Sequence, residues 1–178
     1  ALWQTKTKAP LAGSTGADAT LVVAGSSQGE VIALSGESGS VLWRVRVRGE
    51  VLSAPLVAPT AVVVRTVDGR LVALAREDGH ELWSVEQQIP RLTLRGVAAP
   101  VLAGDVVLCG FDNGKVVGAS LRDGSVLWET AVAPPRGRTE LERLSDIDSR
   151  VLVSGDNVFA VGFQGRIAML ALDTGQIW

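Results

Sequence analysis

Asp68-Gly69-Arg70-Leu71-Val72-Ala73-Leu74-Ala75-Arg76-Glu77-Asp78-Gly79-His80-Glu81-Leu82-Trp83 is the stretch that decides the fold. Asp68-Gly69 is a hairpin turn, because glycine adopts positive φ at little cost. Arg70 to Leu74 then runs back as a strand. Arg76-Glu77-Asp78-Gly79 turns the chain again, and His80 to Val85 forms the next strand. Ahead of the first turn lies the apolar run Ala61-Val62-Val63-Val64-Arg65-Thr66-Val67, and ahead of that Ala54-Pro55-Leu56-Val57. The unit therefore contains four short antiparallel strands.

The same phrase returns along the chain. It reads QGEVIALSGESGSVLW from Gln28, NGKVVGASLRDGSVLW from Asn113 and QGRIAMLALDTGQIW from Gln164. The glycine pairs Gly29/Gly39, Gly69/Gly79, Gly114/Gly124 and Gly165/Gly175 keep one spacing. All five tryptophans, Trp3, Trp43, Trp83, Trp128 and Trp178, belong to the series. The last copy is one residue short between glycine and Trp178. A period of 40 to 50 residues is a repeat architecture. Four strands per repeat is a β-propeller blade. No repeat carries a 3.6-residue apolar period of helical length, which excludes helical solenoids. The expected fold is all-β, with residues 1–178 forming about four blades that close at Trp43, Trp83, Trp128 and Trp178. Each Trp is expected to pack between neighbouring blades.

Composition narrows the function. Of the 178 residues 47% are hydrophobic and 20% charged, and the mean hydropathy is +0.27, which excludes a disordered chain. The net charge of −2 argues against a nucleic-acid surface. The longest nearly apolar stretch, Val51 to Val64, is interrupted by Pro55 and Pro59 and cannot span a membrane as a helix. One cysteine and one histidine exclude a disulfide framework and a His- or Cys-rich metal centre. His80 stands where Ser40, Ser125 and Gln176 stand in the other copies, so a turn residue is a better account than a catalytic base. Cys109 lies in the apolar run Val106-Val107-Leu108-Cys109-Gly110 and reads as a packed thiol. Gly110-Phe111-Asp112-Asn113-Gly114 is the strand-to-turn step of the third repeat rather than a phosphate loop. No catalytic, cofactor or metal site is expected.

Departures from the period point to a binding face. The Trp-to-Trp spacing grows by five residues in the third repeat and by ten in the fourth. The first excess falls in Ile89 to Gly96, basic and apolar through Arg91, Leu92, Leu94 and Arg95. The second falls in Pro134 to Asp148, acidic and apolar through Leu144, Asp146, Ile147 and Asp148. Insertions in repeat proteins map to loops on one face, often the binding face. Both occupy the same slot of adjacent repeats and are expected to be neighbours. Two roles remain open. Arg95 could pair with Asp146 or Asp148 inside the molecule while the leucines cap the core. Alternatively, the loops form a docking patch with partly exposed leucines and rim charges.

The Gly-x₉-Gly-x₃-Trp ending resembles the PQQ-type propeller repeat, in degenerate form. Ala33, Ala73, Gly118 and Met169 stand at its Ala position, and Ser35, Ala75, Ser120 and Ala171 at its Asp position. Three further segments are similar to the BamB family of lipoproteins of the outer-membrane β-barrel assembly machinery. They are Val41-Leu42-Trp43-Arg44-Val45, Leu92-Thr93-Leu94-Arg95-Gly96 and Glu142-Arg143-Leu144-Ser145-Asp146-Ile147-Asp148. The resemblance implies an eight-bladed ring, of which this chain would be about half; a closed four-bladed ring is the structural alternative. It implies a scaffold without enzymatic activity at the periplasmic face of the outer membrane of a Gram-negative bacterium. Its partners would be the POTRA domains of BamA and unfolded outer-membrane protein clients. The contact residues it implies are Leu92, Leu94, Arg95, Asp146 and Asp148. The family's lipid-anchor cysteine has no counterpart here, so membrane attachment is expected to lie outside these residues. An open set of blades is expected to self-associate through its apolar end faces. The same repeat superfamily includes quinone dehydrogenases, which use adjacent cysteines and a calcium-bound quinone, and the lone Cys109 does not supply that pair. A degenerate dehydrogenase fragment and a propeller-type sensor ectodomain are the alternative functions.

Overall fold

The computed structural model describes residues 3–90, 92–93, 98–134, 139, 144–147, 149–163 and 165–178. Among them there is no helix; fifteen strands form four antiparallel sheets. The chain divides into two compact units, 1–84 and 85–178, with two sheets in each.

In the first unit, β1 (Leu11–Ala17), β2 (Leu21–Ser26), β3 (Glu30–Ser35) and β4 (Val41–Arg46) pair in sequence order. They are followed by β5 (Leu56–Val57), β6 (Ala61–Arg65), β7 (Arg70–Ala75) and β8 (Glu81–Glu86), again in order. The core between the two sheets is built from Val23, Val31, Val62, Val64, Val72 and Leu74. Alternation on the strands explains the set: odd positions of β2 and β3 meet even positions of β6 and β7. These residues are 0–2% exposed, as burial on both faces of a sheet requires.

In the second unit, β9 (Val101–Ala103), β10 (Val106–Gly110), β11 (Lys115–Ser120) and β12 (Val126–Ala131) make the third sheet. The fourth has three strands, β13 (Leu152–Ser154), β14 (Asn157–Gly162) and β15 (Arg166–Ala171), with an outer bridge between Leu170 and Ile177. Leu108, Val116, Ile147, Val158, Ala160 and Leu170 form the core between them.

Three of the tryptophans follow one rule. The indole N–H groups of Trp3, Trp43 and Trp128 donate to the carbonyls of Gly36, Arg76 and Leu172, each at 2.9 Å. Each ring lies on the second glycine of the following repeat, Gly39, Gly79 and Gly175 respectively. A Cβ at Gly79 would sit 2.6 Å from Trp43 Cε3, and the φ of +79° already favours glycine. Trp43, Trp83 and Trp128 are 7–8% exposed.

Trp178, the last of the described residues, is 75% exposed. Its register also differs from that of Trp43 and Trp128, each of which follows a β-bulge. In the first sheet Leu34 pairs with Val41 and Ala33 with Trp43, so Leu42 is skipped. In the third, Ala119 pairs with Val126 and Gly118 with Trp128, so Leu127 is skipped. The bulged leucines point outward, 54% and 53% exposed. In the fourth repeat Trp178 stands three positions after Gly175, where Trp43 and Trp128 stand four after theirs. Ile177 keeps the bridge to Leu170, and Trp178 falls on the bulge position. Ala33 and Gly118 pair with a Trp and are small, whereas the carbonyl of the equivalent Met169 accepts from the Trp178 backbone N–H (3.1 Å).

One face of the fourth sheet is apolar and exposed. Leu152 is 65% exposed, Val161 45% and Ile167 75%, while the equivalent Val101 and Val116 of the third sheet are 7% and 0%.

Candidate functional site

The backbone ladder of the first link defines what an uninterrupted connection looks like. After Trp43, the Val47 N–H donates to the Gly29 carbonyl (2.9 Å) and the Val51 N–H to Ser26 (3.0 Å). The Glu50 carbonyl then accepts from Val67 in the next sheet (3.0 Å). The link after Trp128 repeats all three bonds. Val132 N–H donates to Gly114 (2.9 Å), Ile147 N–H to Phe111 (3.2 Å), and the Asp146 carbonyl accepts from Phe163 (2.8 Å). Val51 and Ile147 are therefore the same position, as are Glu50 and Asp146. Both Val51 and Ile147 are fully buried, against Gly25 and Gly110, where a Cβ would collide with them.

This register relocates the second insertion. Four positions separate Val47 from Val51 and fifteen separate Val132 from Ile147, an excess of eleven. The added residues are 134–144, not Pro134 to Asp148. Asp146 belongs to the ordinary link, and its burial follows: it is 1% exposed, with Ser145 at 3% and Leu144 at 8%. The expectation that Asp146 is an exposed rim charge is corrected. The backbone bond to Phe163 draws this segment against the fourth sheet, so its side chain enters the interior rather than solvent.

Both ends of the added stretch meet at one glycine. A Cβ at Gly114 would press on the carbonyls of Ala133 and Ser145, and the φ there is +76°. The neighbouring residue serves the other insertion. Asn113 Nδ2 donates to the Gln88 carbonyl (3.0 Å) and to Gln87 Oε1 (3.3 Å), at the base of the 89–96 stretch. Gln87 Nε2 donates to Glu129 Oε2 (3.3 Å), and Lys115 Nζ to Glu129 Oε1 (2.7 Å). The Lys115 hydrogen bond, helped by Gln87, holds the Glu129 carboxyl below its usual range. Both inserted stretches are thus rooted at the β10–β11 turn.

Of the five residues implied as contacts, Leu92 is described and is 39% exposed. Leu94, Arg95 and Asp148 lie outside the described residues. Cys109 is fully buried, with its thiol directed at the Ala98 carbonyl (3.7 Å). His80 is exposed in its turn and its Nδ1 lies 2.6 Å from Asp78 Oδ1. Asn113 and Gly114 were visible in sequence only as turn residues. The signal for their second task was their position, immediately between two lengthened links.

Comparison with known proteins places the chain. A family model described as outer membrane protein assembly factor BamB matches residues 1–178. The curated outer membrane protein assembly factor BamB of Nitrosomonas eutropha is 40% identical over 178 residues, 99% of this chain and 43% of that protein. The crystal structure of BamB from Moraxella catarrhalis superposes with a TM-score of 0.93 at 28% identity, covering 98% of this chain and 54% of that one. The sheets are thus blades of a β-propeller. A quinohemoprotein alcohol dehydrogenase from Pseudomonas putida HK5 shares the fold, with a TM-score of 0.77 at 15% identity over 97% of this chain and 34% of that one. This chain spans about half the length of the BamB proteins it matches.

Proposed function

Because the chain belongs to the BamB family of outer membrane protein assembly factors, we propose that it is part of a non-enzymatic scaffold of the β-barrel assembly machinery. In this reading it acts at the periplasmic face of the outer membrane and docks on the POTRA domains of BamA through its two inserted stretches. The observation that carries the reading is their common root: Asn113 holds the base of one and Gly114 the base of the other. Two loops launched from one turn can meet one partner together. The half-exposed Leu92 supplies an apolar anchor of the kind that dominates interface energies. Leu94, Arg95 and Asp148 are proposed to complete the patch. Asp146 supports it from beneath by holding the link against the fourth sheet.

Titration of the protein with a soluble POTRA region of BamA tests the proposal. Association is expected, and Leu92→Asp is expected to weaken it by on the order of 1–3 kcal/mol while leaving the melting temperature unchanged. Absence of association, or full affinity with Leu92→Asp, overturns the docking surface. The dehydrogenase reading rests on the shared blade fold alone. Stoichiometric binding of pyrroloquinoline quinone with Ca²⁺ in an absorbance titration would favour it over a scaffold.

A further inference from the structure

We infer that Asn113 is a positioning residue that sets the direction in which the first inserted stretch leaves its sheet; the inference rests on the docking role proposed above. Its amide orientation is fixed from both sides. Oδ1 accepts from the Lys115 backbone N–H (3.1 Å), which leaves both Nδ2 hydrogens facing the link. They go to the Gln88 carbonyl and to Gln87 Oε1. Gln87 is held in turn by Glu129, and Glu129 by Lys115, so the clasp closes on its own turn. Beyond Gln88 only Ile89, Pro90 and Arg91 precede Leu92. Pro90 confines Ile89 to extended backbone, which shortens the lever between clasp and anchor.

The second repeat shows the device without an insertion. There Asp68 stands before Gly69 and lies 3.9 Å from Arg48, the counterpart of Gln88 in the preceding link. Asp68 thus reaches only an exposed side chain of a short link, whereas Asn113 donates to the backbone of a link where extra residues follow. Its neighbour Gly114 lies against the carbonyls of Ala133 and Ser145 in the other link.

Asn113→Asp separates these roles. The carboxylate keeps the acceptor for Lys115 N–H. It loses both donors and places charge against the Gln88 carbonyl. POTRA affinity, melting temperature and amide hydrogen exchange are measured on this variant beside Leu92→Asp. Binding weakened about tenfold, faster exchange at residues 88–93 and an unchanged melting temperature are expected. If Leu92→Asp loses binding and Asn113→Asp keeps it, the positioning role is overturned and the docking reading stands. A lowered melting temperature with faster exchange throughout β10 and β11 would make Asn113 a turn residue only. If neither variant loses binding, docking surface and clasp fall together.

Discussion

Arg76 reaches back from the second sheet to Asp18 at the edge of the first, joining its guanidinium to a carboxylate that already caps a turn. Asp18 Oδ1 accepts from the backbone N–H groups of Thr20 (2.8 Å) and Leu21 (2.9 Å). Arg76 also donates to the Ala58 carbonyl (2.8 Å) and to the Thr20 hydroxyl (2.7 Å), while its own carbonyl takes the Trp43 indole. These bonds, the Thr20 backbone bond first, hold the Asp18 carboxyl well below the usual carboxylate range. A depressed pKa stabilises the fold at pH values above the unfolded carboxylate value, about 3.9, and this contribution disappears as the pH falls. Asp18→Asn should therefore be less stable than the parent at pH 7, with the gap closing below about pH 4. Urea unfolding between pH 3 and pH 7 checks this. A gap independent of pH would show that the charge on Asp18 is irrelevant to the clasp.

Gly79→Ala should destabilise the protein by about 2–4 kcal/mol. Two costs combine: positive φ, and a methyl driven into the Trp43 ring. Gly104→Ala shares only the first cost, since nothing lies within 4 Å of a Cβ there. It should cost about 1 kcal/mol. Denaturant midpoints on the two variants separate strain from collision; equal losses would mean the ring contact contributes nothing.

Trp128→Ala and Trp178→Ala should behave as different residues. The first removes a buried ring and its hydrogen bond and should cost about 3–5 kcal/mol. The second should change stability by less than about 0.5 kcal/mol. It should also remove most of the acrylamide-quenchable fluorescence. Retained quenching in Trp178→Ala would contradict the exposure of this indole.

Joining Ala133 directly to Ser145 should leave the protein folded, because the first link makes the same ladder without those eleven residues. Ile147→Ala, a single change in the buried link, should cost about 2–4 kcal/mol. Far-UV circular dichroism with thermal melts decides. An unfolded deletion variant would place the stretch in the core rather than on a loop.

The sheets were legible in the sequence because glycine pairs at fixed spacing and the apolar runs between them specify turns and strands locally. The existence of two lengthened links was also legible. Their boundaries were not, since Trp-to-Trp spacing measures how many residues were added and says nothing of where. Asp146 was placed in solvent for that reason. The parallel between Glu50-Val51 and Asp146-Ile147, an acid before a β-branched residue, was the available clue.

The bulge also imposes an arithmetic on how such a chain can change length. Between the second glycine and the tryptophan, the bulge turns one residue outward, Leu42 or Leu127, so a change of count there would exchange an inward residue for an outward one. Between Val132 and Ile147, eleven residues enter without disturbing a bond of the ladder. Added length is thereby accommodated in the links, on the surface carried by the β10–β11 turn, while the hairpins keep their count.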